Sequence, residues 1–166
     1  MCKYLNSTTI MKSVATFILI LLLSTITYSQ KCKYETNDID IETKLPIKVT
    51  KMLKVYTTFN TVGQISISNI NNDYAIDFCH IVFAGCVTTY EGCEITFLLE
   101  NGASITLKKG KINYGIQEKD LHEMLKAKVK KIRYQYGDNP TNSKFTENEI
   151  NSKKGANIIE LIKCVL

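Results

Sequence analysis

The chain has 166 residues, 45% hydrophobic and 22% charged, with 8 Gly, 2 Pro, 6 Cys and no Trp. That mixture excludes a disordered tail, a collagen-like repeat, a coiled coil and a multi-pass membrane protein, and the length suits one domain with a sizeable core. The formal charge of +5 is mild, and every basic residue except Arg133 is a lysine. A surface built to grip nucleic acid would use arginine's planar fork more freely, so no nucleic-acid partner is expected.

The segment 11–30, MKSVATFILILLLSTITYSQ, joins a lysine to an apolar run from Phe17 to Leu23 and then to small polar residues. This is the layout of a secretory signal peptide. It predicts removal of residues 1–29, a true start at Met11 and cleavage after Ser29 or Gln30. The apolar run is too short to span about 30 Å of hydrocarbon comfortably. Ser29-Gln30-Lys31 is too polar and bulky to guide acylation of Cys32, so release is expected, with no stable membrane insertion afterwards. The expected location is periplasmic or extracellular. Losing Lys3 and Lys12 lowers the formal charge from +5 to +3.

Export makes the remaining cysteines candidates for disulfides. Read as one extended strand, Cys79 and Cys86 stand about 23 Å apart at about 3.3 Å per residue, against the roughly 4.4 to 6.8 Å between Cα atoms that a bridge needs. They require an intervening turn to meet. Cys86 and Cys93 flank VTTYEG, a plausible hairpin loop, and Cys32 with Cys164 would clasp the two ends of the domain. The expectation is Cys86–Cys93 and Cys32–Cys164, with Cys79 as the unpaired thiol.

Residues 30–43 are polar and acidic and are expected as a mobile lead-in to one domain over 44–166. Alternation marks strands at Lys54 to Phe59 and Gln64 to Ser68, and Tyr74 to Phe83 is the next strand, apolar on both faces and therefore central. Asn71-Asn72-Asp73 is a turn. Asn101-Gly102 predicts a type I′ hairpin between Ile95–Glu100 and Ala103–Lys108, with Leu98 opposite Ile105 and Phe97 opposite Thr106. Leu121, Met124, Leu125 and Val129 give a short helix, after which Ile132, Tyr134 and Tyr136 share one strand face. Gly137-Asp138-Asn139-Pro140 is a turn. Thr146 and Glu149 form a capping box for a C-terminal helix along Ile150, Ile158, Leu161, Ile162 and Val165. The pattern predicts an α+β fold: an antiparallel meander of about five to six strands covered by a short helix and a C-terminal helix.

The usual catalytic fingerprints are absent from the sequence, and no cofactor or metal site is expected. A thiol enzyme would pair Cys79 with His122, because His80 projects from the opposite face of the same strand. Asp77, Glu94 and Glu100 could supply a carboxylate pair for hydrolysis. Lys108, Lys109, Lys111, Lys126, Lys128, Lys130, Lys131 and Arg133 could form a basic stripe, or simply a solvated face that discourages edge pairing.

Tyr28-Ser29-Gln30, the Lys-, Asn- and Ile-rich composition, Leu99-Glu100-Asn101-Gly102 before Ile105-Thr106-Leu107, and LHEMLKAKVKKIRYQYGD over 121–138 carry a further likeness. On these features the chain resembles a loose group of small exported proteins of Bacteroidota without an established function. The resemblance covers most of 44–166 and implies an antiparallel sheet with a late helix and a closing helix. It transfers no catalytic residue. The expected function is non-enzymatic binding of a protein or cell-surface partner, of the inhibitor, immunity or accessory type. The alternative is a small hydrolase or thiol-dependent enzyme.

Overall fold

The computed structural model describes residues 32–83 and 85–166; the expected signal peptide and its cleavage point lie outside them. The strands run β1 (Tyr34–Ile39), β2 (Pro46–Thr50), β3 (Leu53–Thr57), β4 (Thr61–Ile70), β5 (Asp73–Val82), β6 (Gly85–Cys86), β7 (Glu94–Leu99), β8 (Ser104–Lys108), β9 (Tyr114–Gly115), β10 (Val129–Tyr136) and β11 (Lys144–Glu149). Helix α1 spans Glu118–Lys126 and α2 spans Ser152–Val165. The fold is α+β and mainly β, with every strand pairing antiparallel.

The strands divide between two sheets rather than forming one meander. One follows the order β1-β2-β4-β5-β6, with β3 also on β4 and β9 also on β5; the other follows β11-β10-β7-β8. Alternation explains the pairing of their faces. Ile65, Ile67, Ile76 and Phe78 line the first sheet's inner face, and Ile95, Phe97, Leu99, Ile132 and Tyr134 belong to the second sheet's buried set. The Phe78 and Tyr134 rings meet across the gap at 4.9 Å between centroids. Each fully buried aliphatic or phenylalanine side chain in this core, such as Ile67, Ile95 or Phe97, contributes about 1.5 to 3 kcal/mol of transfer free energy.

Helix α2 closes the core with Ile158, Ile162 and Val165, all fully buried. It starts where the Asn151 side chain accepts from the Lys154 N–H at 2.9 Å. Its first turn presses on β10: a Cβ added at Gly155 would lie 2.5 Å from the Val129 carbonyl oxygen. The expected Thr146–Glu149 capping box does not form. Those residues belong to β11, whose pairing with β10 satisfies the backbone that a helix start would leave open. The helix therefore begins three residues beyond Glu149.

Two hairpins separate what turn residues can reveal from what they cannot. Asn71 and Asn72, at φ 57° and 69°, make the two-residue loop between β4 and β5, closed by Asn72 N–H donating to Asn69 Oδ1 at 3.0 Å. At β7–β8 only Gly102 has positive φ, 88°, and the loop holds three residues, with Leu99 N–H donating to the Ala103 carbonyl. The register consequently shifts by one from the Asn-Gly expectation. Phe97 pairs with Ile105 in the core, Leu98 pairs with Ser104, and Thr96 pairs with Thr106 outside, their hydroxyls 2.9 Å apart. The fully buried Phe97 thereby faces Ile105, where the expected register set it against Thr106.

The stretch 30–43 contains β1, and the folded unit starts at Cys32 rather than at 44. A disulfide joins Cys32 to Cys164, with 5.7 Å between Cα atoms. The Tyr34 hydroxyl donates to the Cys164 carbonyl at 2.9 Å beside it. Among the described residues no helix is long and apolar enough to cross a membrane.

Candidate functional site

The second disulfide corrects the sequence expectation. Cys79 bonds to Cys86, with 5.6 Å between Cα atoms, and Cys93 is the free, buried cysteine. The chain does not continue as one strand past Val82; it reverses at Phe83, and Cys86 comes back opposite Ile81. Phe83 makes this reversal with φ 57°, a left-handed conformation that a bulky side chain seldom adopts. No Asn, Asp or Gly occupies that position to announce it. Cys93, meanwhile, starts the β7 ladder: its carbonyl accepts from Lys109 N–H, and its sulfur accepts from Tyr90 N–H at 3.4 Å.

These corrections remove the thiol–imidazole pair. Cys79 is spent in a bridge, and His122 is exposed on α1, 3.5 Å from Glu118. The carboxylates do not converge either. Glu94 opens β7 and lies 3.7 Å from Lys108, whereas Glu100 follows the strand's other end, about 20 Å away at about 3.3 Å per residue. Paired acid and base carboxyls would need roughly 5 to 9.5 Å. Asp77 stands on the other sheet, where burial alone raises its pKa. Half of the basic stripe is ion-paired: Lys108, Lys126, Lys131 and Arg133 have carboxylate partners. Lys131 lies 3.2 Å from both Glu147 and Glu149, whose hydrogen bonds raise its pKa, and Arg133 lies 3.9 Å from Glu147 while stacking over Phe145. No group of His, Cys, Asp and Glu suited to a metal ion occurs among the described residues.

What the topology does assemble lies at the end of the first sheet where β3, β4, β5 and β6 meet. Gly63 on β4 pairs with Tyr56 on β3 and with His80 on β5. The Tyr56 ring occupies the space where any Cβ at 63 would stand, so only glycine lets it cross β4. It thereby reaches His80, with 2.6 Å between Tyr56 Oη and His80 Nδ1. Burial lowers the His80 pKa, favouring the neutral ring, whose tautomer sets which of Nδ1 and the Tyr56 hydroxyl donates. Burial also pushes the Tyr56 hydroxyl up to about 12. Tyr134 packs on His80 at 4.9 Å with its hydroxyl buried, and burial first, then the neighbouring Tyr56 hydroxyl, raises its pKa. Phe78 and Tyr136 complete this aromatic floor.

Immediately beyond that floor the chain turns twice. The β3–β4 turn carries Phe59, and the β5–β6 turn carries Phe83. Phe59 is wholly exposed at 105% and Phe83 at 86%, the two most exposed large hydrophobic side chains among the described residues. The turns are tied together by Phe83 N–H donating to the Asn60 carbonyl at 3.4 Å and by Thr58 N–H donating to the Thr61 carbonyl at 2.9 Å. The Thr58 and Thr61 hydroxyls bond each other. Between the turns lies an open cleft of about 470 Å³ whose lining includes Phe59, Asn60, Val62, Ile81 and Phe83. The arrangement offers two apolar projections on a braced base and no acid–base pair. Sequence reading missed it because Phe59 and Phe83 look like strand residues; their exposure depends on where the two strands end.

No protein-family model, curated protein or solved structure matches the chain.

Proposed function

We propose that this is an exported, non-enzymatic binding protein of the inhibitor, immunity or accessory type, which engages a protein or cell-surface partner through the Phe59–Phe83 tip. The observation that carries the reading is the pair of exposed phenylalanines on adjacent turns flanking one cleft. Apolar projections of this kind cost solubility unless they meet something. Their base is held by the Cys79–Cys86 bridge and the Tyr56–His80 hydrogen bond, so little order has to be gained on contact. Two disulfides suit an oxidising, non-cytoplasmic space, and the 11–30 segment has the pattern of an export signal.

Labelled protein incubated with envelope fractions of the cells that make it tests the reading. Saturable binding should be displaced by unlabelled protein but not by the Phe59→Ser/Phe83→Ser variant. Equal displacement by the variant, or no saturable binding at all, would overturn it.

A further inference from the structure

We infer that the Phe59–Phe83 tip docks on a lipid bilayer, its two rings entering the boundary between headgroups and acyl chains; this deepens the binding reading above and rests on it.

Charge is the first argument. In a chain with 22% charged residues, no Asp, Glu, Lys or Arg occurs from Val55 to Asn72 or from Phe78 to Tyr90, the two stretches that build the tip and the strands beneath it. His80, the titratable imidazole within them, is buried against Tyr56 and Tyr134 and held neutral. A polar protein interface has no need of an ion-free end, because water and opposite charges at its rim accommodate ions. A low-dielectric layer does need one, since each ion carried into it is costly.

The second argument is backbone satisfaction. Polar groups entering an apolar layer must bring their partners with them. Here the Thr58 and Phe83 N–H groups donate to carbonyls within the tip and the two threonine hydroxyls bond each other, while the Phe59 and Asn60 N–H groups have no partner among the described residues, which limits entry to the hydrated headgroup boundary. Third, the rings project clear of their own chain, so their apolar area is free to be transferred. Two phenyl groups give a marginal, reversible association of the order supplied by one acyl chain, not an anchor.

The chain has no tryptophan, so Phe59→Trp installs a sole indole at the tip. With vesicles of phosphatidylcholine alone, its emission should shift to the blue and be quenched by lipids brominated along the acyl chain. Adding Phe83→Ser should weaken vesicle binding roughly tenfold, and raising the salt should leave binding unchanged. Both positions are exposed, so circular dichroism should register no loss of fold. Unchanged emission with phosphatidylcholine would overturn the inference. So would a shift seen only with phosphatidylglycerol vesicles and abolished by salt, which would mean adsorption through lysines. A shift that grows with protein concentration without lipid, meaning a second copy, would overturn it too. Envelope binding that depends on Phe59 and Phe83 but disappears when the envelopes are protease-treated would refute the lipid partner and leave the binding function standing.

Discussion

His80 shows how one residue's surroundings set a measurable property of the whole fold. Its imidazole is buried between Tyr56 and Tyr134, and burial lowers its pKa below the ordinary 6.5. The folded protein therefore binds fewer protons than the unfolded chain as the pH falls past about 6.5. Stability from this site is fully present above that pH and is lost progressively as the solution is acidified towards the folded pKa. Urea midpoints measured from pH 8 to pH 5 should decline, and the decline should be shallower in His80→Gln; an equal slope in the variant would assign the loss to other groups. Gly155 makes a second residue-scale case. By helix propensity alone, Gly155→Ala should stabilise α2 by up to about 1 kcal/mol. The Val129 carbonyl oxygen occupies the space a methyl would need, so the substitution should instead destabilise by about 1 to 3 kcal/mol, read from denaturant midpoints. Helix propensity registers the glycine's cost and not its purpose, because the purpose is a contact with β10.

At the scale of elements, the β5–β6 hairpin depends on a bridge more than on a ladder. β6 has two residues, and its turn holds Phe83 at positive φ, which costs of order 1 to 3 kcal/mol. Closing the short Cys79–Cys86 loop restricts the unfolded chain by about 2.5 kcal/mol in the chain-entropy account. Cys79→Ser/Cys86→Ser should therefore lower stability by up to that amount and increase amide exchange at Val87, whose N–H donates to the His80 carbonyl. Unchanged exchange there would show that the hairpin stands without its bridge. The corresponding double substitution at Cys32 and Cys164 should cost more, about 5 kcal/mol, since its loop spans nearly the whole domain. Elements with strong local signals were legible: β4 from alternation, β5 from a run apolar on both faces, their Asn-Asn turn, and α1 from its apolar spacing. β11 was misread because Thr146 and Glu149 have the spacing of a capping box, and only pairing with β10 decides between strand and helix. The β7–β8 register was misread for a related reason. Asn-Gly suits a two-residue loop, but one further loop residue sets Phe97 against Ile105 and Thr96 against Thr106.

Over residues 32–166, two facing sheets, a closing helix and two bridges carry the Phe59–Phe83 tip on two stretches of chain that hold no Asp, Glu, Lys or Arg. The α+β class and the clasp between its termini followed from periodicity and from where the cysteines fall in the chain. The candidate site did not, because it is a property of where strands stop: Phe59 and Phe83 are far apart in sequence and flank one cleft only because β4 begins beside the end of β5. The central claim is that this body matures in an oxidising space with the tip stapled as described. Peptide mapping of the protein isolated from its own cells, alkylated before digestion and kept non-reduced, tests that most directly. The account predicts Cys32 joined to Cys164, Cys79 joined to Cys86, and Cys93 alkylated only if the protein is first unfolded. Cys86 joined to Cys93, or all of these thiols reduced in the isolated protein, would contradict it.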